Sequence, residues 1–235
     1  FNGPDNDSQV DKQADMVQNA INKSPDAVAI APLDEAALTP AVQSAKSASI
    51  PLFAFDTAFE TNADAITSTV KTSNREVGKV AAENLIALLN GKGKYAVIAH
   101  SQTDATSTER RDGFLDYMKK NAPDMEMVGE VQYSNADQAK AQDIASAILQ
   151  ANPDLDAIFA TNEATVVGAA TPVESALKSG HKVLLVGVDS GKAQQQYIRD
   201  GVISGSVSQN PYQIGYKTIE NAVKSLNGEK IDKVI

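Results

Sequence analysis

The sequence contains no cysteine and no tryptophan, and only two of its 235 residues are histidine. Without cysteine, the chain forms no disulfide and offers neither a thiol nucleophile nor a thiolate ligand for a metal. Neither His100 nor His181 has a ligand partner three or four residues away beyond an isolated carboxylate, so no zinc site is predicted. We therefore expect a protein that uses no metal ion and no cofactor.

Long apolar runs and an excess of positive charge are also missing. No stretch approaches the roughly 18 consecutive apolar residues of a membrane span, so no direct membrane span is expected. Lysine and arginine number 21 against 30 aspartate and glutamate residues, which gives a formal net charge of −9. Binding to nucleic acid needs a concentrated basic surface that neutralises phosphates. This acidic chain is not expected to bind nucleic acid.

The common catalytic loop motifs are absent as well. No G-x-G-x-x-G follows a predicted strand, and neither a G-x-x-x-x-G-K-[ST] loop nor a G-x-S-x-G elbow occurs. The segment Gly91-Lys92-Gly93-Lys94 precedes a strand rather than a helix, so we interpret it as a turn. Asp56 and Asp189 could be imagined as a glycosidase pair, but nothing distinguishes an acid from a base between them. We do not expect an enzyme.

Buried strands alternate with amphipathic helices along the chain. Short apolar runs predict parallel strands covered on both faces, at 27–30, 51–55, 95–99, 126–131, 157–160 and 183–187. Two further β-like segments lie at 66–70 and 203–208. Helix starts are predicted at two capping boxes, Ser73-x-x-Glu76 and Thr106-x-x-Glu109. Helix ends are predicted at Asn90-Gly91 and Ser179-Gly180.

The spacing of the strands predicts the domain organisation. Most intervals hold one strand, one helix and two short loops, which is a βαβ unit. The interval from 51 to 95 also contains the segment 66–70, where the chain leaves one lobe and enters another. The predicted fold class is α/β, with two similar doubly wound parallel-sheet lobes joined by hinge crossings. We assign 1–72 with 211–235 to the N-terminal lobe and 73–210 to the C-terminal lobe.

The first lobe offers only two full strands before the chain crosses over, which is too few for a covered sheet. We expect its first strand to lie upstream of Phe1. The segment 230–235 is expected to begin a strand, so the fold is expected to be truncated at both ends.

Polar side chains follow the carboxyl ends of the strands, where parallel sheets bind ligands. They are Asp56 and Thr57 after 51–55, Asn162 after 157–160, Asp189 after 183–187, and Gln209 after 203–208. The helix that follows 95–99 is predicted to begin around Arg110 and Arg111, so one arginine is available as well. Carboxylates, amides and guanidinium groups pair with vicinal sugar hydroxyls, which both donate and accept hydrogen bonds. Any one aspartate or asparagine taken alone could instead cap the following helix. Together the set favours a sugar site.

These residues resemble the type I periplasmic sugar-binding proteins, close to the ribose-binding branch of ABC-importer receptors. The resemblance covers essentially the whole chain. It rests on IPLFAFD at 50–56, ERRDGF at 109–114, AIFATNE at 157–163, VGVD at 186–189 and QNPYQIG at 209–215. By their places in these motifs, the resemblance implies ligand contacts by Asp56, Arg110, Asn162, Asp189 and Gln209.

The sequence departs from the ribose-binding pattern beside the expected ligand. Thr57 stands where ribose binders often carry arginine, and Ala136 stands where some relatives place a stacking phenylalanine. These departures indicate a pentose or hexose other than ribose. Phe55, Phe59 and Tyr133 are candidate replacement stacking surfaces. We interpret Phe55 as a core residue because it points away from Asp56, and Tyr133 stays open between the two roles.

The resemblance implies capture of a monosaccharide between two lobes by hinge closure, followed by delivery to the membrane permease of an ABC transporter. The implied hinge residues are Thr72, Ser73, Asn74, Asn210 and Pro211. The protein would act as a monomer, in the periplasm or outside the cell on a membrane anchor.

Two alternatives share the fold. One is the sugar-sensing effector domain of a lactose-repressor-family regulator, and the other is a fused sensory domain of a membrane signalling protein. The uniform acidity favours the transport receptor over the regulator.

Overall fold

The structure is a computed structural model that describes residues 1–6 and 8–235. Its helices are α1 Val10–Ile21, α2 Glu35–Ser47, α3 Asn74–Leu88, α4 Ala105–Asn121, α5 Gln138–Ala151, α6 Glu163–Lys178, α7 Lys192–Arg199 and α8 Pro211–Leu226, with a short 3-10 turn at Ala63–Ala65. Its strands are β1 Val28–Ile30, β2 Leu52–Phe55, β3 Ile66–Val70, β4 Gly93–Ala99, β5 Met125–Met127, β6 Gln132–Tyr133, β7 Ala157–Ala160, β8 Leu184–Val188 and β9 Gly205–Val207.

The chain divides into two compact units. The first contains Phe1–Thr72, Asp104–Thr106 and Asn210–Ile235, and the second contains Ser73–Thr103 and Ser107–Gln209. Each unit has its own parallel sheet and its own hydrophobic core.

In the first unit, parallel strands pair in the order β1-β2-β3. The apolar faces of α1 and α2 pack over one side of this sheet, in a core that includes Leu38, Val42 and Leu52. Helix α8 packs on β2 and β3 through buried residues of its inner face. The outer face of α8 exposes five apolar side chains, those of Tyr212, Tyr216, Ile219, Val223 and Leu226.

The last residues of the chain pair with β3. The Thr69 N–H donates to the Lys233 carbonyl at 2.9 Å, and the Ile235 N–H donates to the Thr69 carbonyl at 2.9 Å. The bridge between Thr69 and Val234 is parallel. The prediction that 230–235 begins a strand is therefore confirmed as a short parallel pairing.

In the second unit, all strand pairs are parallel and the order is β5-β4-β7-β8-β9, with β6 also pairing with β4. Helix α4 leads from β4 to β5 on one side, whereas α5 leads to β7 on the other. The direction of the strand order therefore reverses between β4 and β7. Ligands of open α/β sheets bind in the crevice beyond such a switch point, at the carboxyl ends of the strands.

The predicted α/β class and the alternation of parallel strands with helices are confirmed. The segments 66–70 and 157–160 coincide with β3 and β7. The strand predicted at 126–131 is confirmed only at its start, where it overlaps β5, because residues 128–131 form no strand and β6 begins after them. Asn90, Gly91 and Gly180 have positive φ at helix ends, as expected for those stop signals.

The helix start predicted at Ser73 is confirmed, whereas the one predicted at Thr106 is wrong. Ser73 does stand at the N-cap of α3, but its side chain makes no capping hydrogen bond. Helix α4 begins at Ala105, so Thr106 is already inside the helix rather than at its cap.

Candidate functional site

At the switch point of the second unit, the ends of β4 and β7 are joined by hydrogen bonds between His100 and Thr161, the residues that directly follow these strands. The His100 backbone N–H donates to the Thr161 hydroxyl oxygen at 2.9 Å, and the His100 Nδ1 lies 2.7 Å from the same oxygen. Both side chains are buried. This pair ties the two strand ends together.

Arg110 lies beside Thr161 as a buried cation. Its side chain comes from α4 and the residue is only 3% exposed. Its Nε donates to Asn74 Oδ1 and its Nη1 to the Thr161 carbonyl, both at 2.9 Å. Within the described residues Arg110 makes no ion pair, and its Nη2 has no hydrogen-bond partner. A buried charge held only by neutral oxygens is unfavourable, which makes Arg110 a candidate ligand group.

Two glycines allow α3 and α4 to pack closely, which sets the position of Arg110 on α4. A Cβ on Gly78 of α3 would lie 2.0 Å from the Arg110 carbonyl oxygen, and one on Gly113 of α4 would lie 2.2 Å from the Arg75 carbonyl oxygen. The helices therefore pack backbone against backbone at these two positions. Phe114 fixes the other face of α4, since its ring stacks on that of Phe159 with centroids 4.3 Å apart.

Asn162 has two roles on the two ends of its amide. It is the N-cap of α6, and its Oδ1 accepts from the Thr165 N–H at 3.0 Å and from the Thr165 hydroxyl at 2.7 Å. The capping alternative is therefore correct for the oxygen. The Nδ2 has no partner within the described part of the chain, which leaves a donor for a ligand.

Asp189 follows β8 in a left-handed conformation, with φ at 80°. Aspartate tolerates this region better than most residues. Its Oδ2 accepts from the Glu163 N–H at 3.0 Å, and its Oδ1 accepts from Gln209 Nε2 at 2.5 Å. Each carboxylate oxygen retains a further lone pair for a hydroxyl donor. Sequence reasoning predicted both Asp189 and Gln209, and the structure brings them together.

Glu163 is a neighbour that sequence reasoning missed. It is the first residue of α6, where the helix dipole favours an anion. Burial, and next the charge of Asp189, nevertheless raise the pKa of Glu163 above its usual value. Its carboxylate lies over Gly191, where any Cβ would collide with it. The signal available in the sequence was the acidic residue directly after Asn162.

The first unit repeats the aspartate arrangement. Asp56 follows β2 with φ at 62°, and its N–H donates at 2.9 Å to the carbonyl of Val70, the last residue of β3. Asp189 does the same at 3.0 Å with Val207, the last residue of β9. In each unit the left-handed turn carries the carboxylate off the end of the sheet. Thr57, which follows Asp56, is buried.

The loop after Thr57 is held by a carboxylate. Glu35, at the start of α2, accepts hydrogen bonds from the backbone N–H groups of Glu60, Thr61 and Asn62. Burial acts to raise the pKa of Glu35, but these donors outweigh it and hold the pKa below its usual value. Phe59, in the same loop, is buried in the core of the first unit, so its prediction as a stacking surface is wrong. Phe55 is only half-buried and lies outside that core.

Two further predicted residues lie near β6. Tyr133 is half-buried, and its hydroxyl accepts from Arg111 Nη1 at 2.9 Å. Arg111 also pairs with Asp112 at 2.6 Å, so it is a paired cation, unlike Arg110. Ala136 is half-buried with φ at 52°, and its N–H donates to the His100 carbonyl at 2.8 Å.

The predicted hinge residues lie where the chain passes from one unit to the other. Thr72 ends one segment of the first unit, and Ser73 opens the second. Asn74 is buried and accepts from Arg110, which ties it to the second unit. Asn210 caps α8 through its Oδ1, which accepts from the Gln213 N–H at 3.1 Å, and Pro211 is the first residue of that helix. Their role as hinges stays a prediction.

The described residues show neither a metal cluster nor a membrane-spanning helix. They contain no group of three or more histidine, aspartate or glutamate side chains able to hold a metal ion. None of the helices they form combines the length and the hydropathy needed to cross a membrane.

Comparison with known proteins gives consistent matches over the whole chain. Residues 1–230 match the family model described as a periplasmic binding protein domain. The chain is 30% identical over 231 residues to the ribose import binding protein of Bacillus subtilis, covering 98% of this chain and 72% of that protein. It is 31% identical over 229 residues to the D-allose-binding periplasmic protein of Escherichia coli, covering 95% and 72%.

A solved structure is similar throughout. An ABC transporter solute binding protein from Agrobacterium vitis with bound D-fucose superposes with a TM-score of 0.93 at 34% identity. The match covers 100% of this chain and 80% of that one.

Proposed function

Since the chain belongs to the type I periplasmic binding proteins, among the sugar-binding proteins of ABC importers, we propose that Arg110, Asn162 and Asp189 bind the hydroxyls of its monosaccharide. The observation that carries this assignment is the buried, ion-pair-free guanidinium of Arg110, whose Nη2 is unused in the described part of the chain. A ligand oxygen would complete its hydrogen bonding. The relatives are import binding proteins, which favours transport over the repressor alternative.

The donors and acceptors of the second unit suit a sugar hydroxyl pair. Arg110 Nη2 and Asn162 Nδ2 offer N–H donors, whereas the Asp189 carboxylate offers acceptors. A hydroxyl that accepts from one of the first two can donate to the third. Hydrogen bonds to charged groups are worth more than neutral ones, so the arginine and the aspartate should contribute most.

For the ligand we propose a pentose or hexose. The relatives named above are described with ribose, D-allose and D-fucose. Thr57 replaces the arginine that ribose binders often carry, which supports a sugar other than ribose. Tyr133 and Ala136 are the proposed neighbours of the sugar ring, and Gln209 is proposed to act on it beside Asp189.

The remaining parts of the proposal rest on the family. We propose that Asp56 and Thr57 of the first unit contribute to the same sugar, and that binding closes the units about Thr72, Ser73, Asn74, Asn210 and Pro211. The protein would work outside the cytoplasm as a monomer, in a periplasm or on a membrane anchor, and would deliver its sugar to an ABC-transporter permease.

A thermal-shift panel tests the proposal. Wild-type protein is heated with D-ribose, D-allose, D-fucose, D-arabinose and D-tagatose in turn, each at about 10 mM. A ligand at about 100 times its Kd adds roughly 2.7 kcal/mol of stability, so a bound sugar raises the Tm by several degrees.

Arg110→Met should abolish the shift, whereas Arg111→Met, which removes a paired cation from the next position, should keep it. A panel without any shift would contradict sugar binding. Equal loss in both arginine variants would contradict the assignment of Arg110.

A further inference from the structure

Helix α7 contains one fully buried glutamine. Gln194 is 0% exposed, while its neighbours Gln195 and Gln196 are exposed. Its Nε2 donates to the Val188 carbonyl at 3.0 Å and to the Ser206 hydroxyl at 2.5 Å. Its Oε1 is the one buried side-chain polar atom without a hydrogen-bond partner among the described residues. Nothing in the run of three glutamines at 194–196 distinguishes residue 194 from its neighbours.

The buried Oε1 without a hydrogen-bond partner makes Gln194 a source of instability in the folded state. A buried acceptor without a donor costs free energy, and a methionine of similar volume would remove that cost. Rotating the amide by a half turn does not help, because Oε1 would then face the Val188 carbonyl oxygen. What Gln194 provides must therefore lie in the two hydrogen bonds that its Nε2 makes.

Those two hydrogen bonds reach both sides of Asp189. Val188 supplies the carbonyl before Asp189, and Gln194 holds it directly. The Ser206 hydroxyl donates to the Asp189 carbonyl at 2.7 Å, and Gln194 holds that hydroxyl. The peptide groups on either side of Asp189 are therefore fixed by one buried amide. They set both backbone dihedrals of a residue whose φ is 80°.

We propose that Gln194 is a positioning residue for sugar binding. It acts through Ser206 on the backbone of Asp189, and it thereby holds the Asp189 carboxylate in the orientation that binds the sugar. The proposal rests on Asp189 being a sugar contact, as proposed above. A binding group needs to be held within about 0.5 Å of its productive position by the residues behind it. Asp189 has a strained backbone, so it would turn without this support.

The binding test uses Gln194→Met, Ser206→Ala and the double variant, with Gln196→Met as the matched surface control. The sugar is whichever of the five panel monosaccharides gives the largest Tm shift with wild type. Calorimetry should show a Kd raised about tenfold or more in each single variant. The double variant should bind the sugar with the same affinity as the single variant that binds less tightly. The two losses do not add, because both substitutions break the same chain of hydrogen bonds. Gln196→Met should bind like wild type.

A sugar-free readout separates positioning from plain structural support. The Glu163 N–H donates to Asp189 Oδ2, so its hydrogen exchange reports the carboxylate position. Exchange of this amide should be at least tenfold faster in Gln194→Met and in Ser206→Ala than in wild type. The increase should exceed what the global unfolding of each variant accounts for. The Tm of Gln194→Met should stay close to that of wild type, because removal of the orphaned oxygen offsets the loss of the two Nε2 hydrogen bonds.

Each outcome decides the proposal. Wild-type exchange at Glu163 in both single variants would overturn it, whether or not a sugar is known. Additive losses of affinity, or weaker binding that tracks a lower Tm, would also overturn it. If Gln194→Met fails to fold, Ser206→Ala alone still tests the exchange. If no sugar binds to wild type, the proposed function fails, and the exchange result still decides whether Gln194 holds Asp189.

Discussion

The two ends of the Asn162 amide have different roles, one in helix capping and the other in the proposed sugar binding. Its oxygen caps α6, and its nitrogen is the donor assigned to the sugar. In Asn162→Ser the hydroxyl still caps the helix, since serine is among the favoured N-cap residues. We expect the free energy of unfolding to change by less than about 0.5 kcal/mol. Sugar affinity should fall by about 1.5–3 kcal/mol, because a hydroxyl partner is lost in a closed site.

Chemical denaturation and calorimetry on the same sample check this prediction. Asn162→Ala serves as the control, since it should lose the affinity and in addition about 1 kcal/mol of helix capping. If Asn162→Ser binds the sugar with wild-type affinity, the asparagine is only a cap.

Glu163 makes the stability of the second unit depend on pH. Its pKa is raised in the folded state by burial and by the charge of Asp189. A carboxyl with a raised pKa adds full stability below its unfolded pKa, near 4.5, and loses that contribution as pH rises through the folded value. Glu163→Gln should therefore raise the Tm at pH 7 and leave it unchanged at pH 4. Scanning calorimetry at both values checks this, and a lower Tm at pH 7 would contradict it.

The contact between α3 and α4 decides where Arg110 lies. Alanine at Gly113 would gain helix propensity, worth about 1 kcal/mol, but its Cβ would collide with the Arg75 carbonyl. Backbone cannot move aside as a flexible side chain does, so the collision should dominate. We expect Gly113→Ala to lower stability by about 1–3 kcal/mol and to weaken sugar binding, because α4 must shift and carry Arg110 with it.

Urea denaturation and calorimetry measure the two effects. Gly91→Ala gives a control at a glycine that has open space around it but a positive φ, so it should lose stability without losing sugar affinity. Unchanged affinity in a folded Gly113→Ala protein would show that α4 does not position Arg110.

The elements that sequence predicts well are those set by local chemistry. β7 is a continuous apolar run, and β3 alternates apolar and polar residues with many β-branched side chains, so the bounds of both follow from the chain itself. The capping-box pattern predicts one helix start correctly and one wrongly, because a serine or threonine three residues before a glutamate does not by itself determine where a helix begins. Ser73 reaches the N-cap without using its side chain, and Thr106 falls inside α4.

The site is predicted in part. The strand-end rule selects Asp56, Asn162 and Asp189 as candidate ligand groups, and the structure places each of them within two residues of a strand end. The left-handed turns that direct the two aspartates depend on pairing with β3 and β9, which lie later in the chain. Likewise, the unused atoms of Arg110 and the orphaned oxygen of Gln194 exist only once the fold removes water from them. No pattern in the sequence carries that information.

Taken as a whole, the molecule places one left-handed strand-end aspartate in each of its two units, Asp56 in the first and Asp189 in the second. The account holds that the unused polar atoms of the second unit are completed by a monosaccharide. The most direct test is a crystal structure of the protein with the sugar that gives the largest Tm shift. Sugar hydroxyls should lie within about 3.2 Å of Arg110 Nη2, Asn162 Nδ2 and the Asp189 carboxylate. A fully occupied sugar that touches none of these three groups would contradict the account.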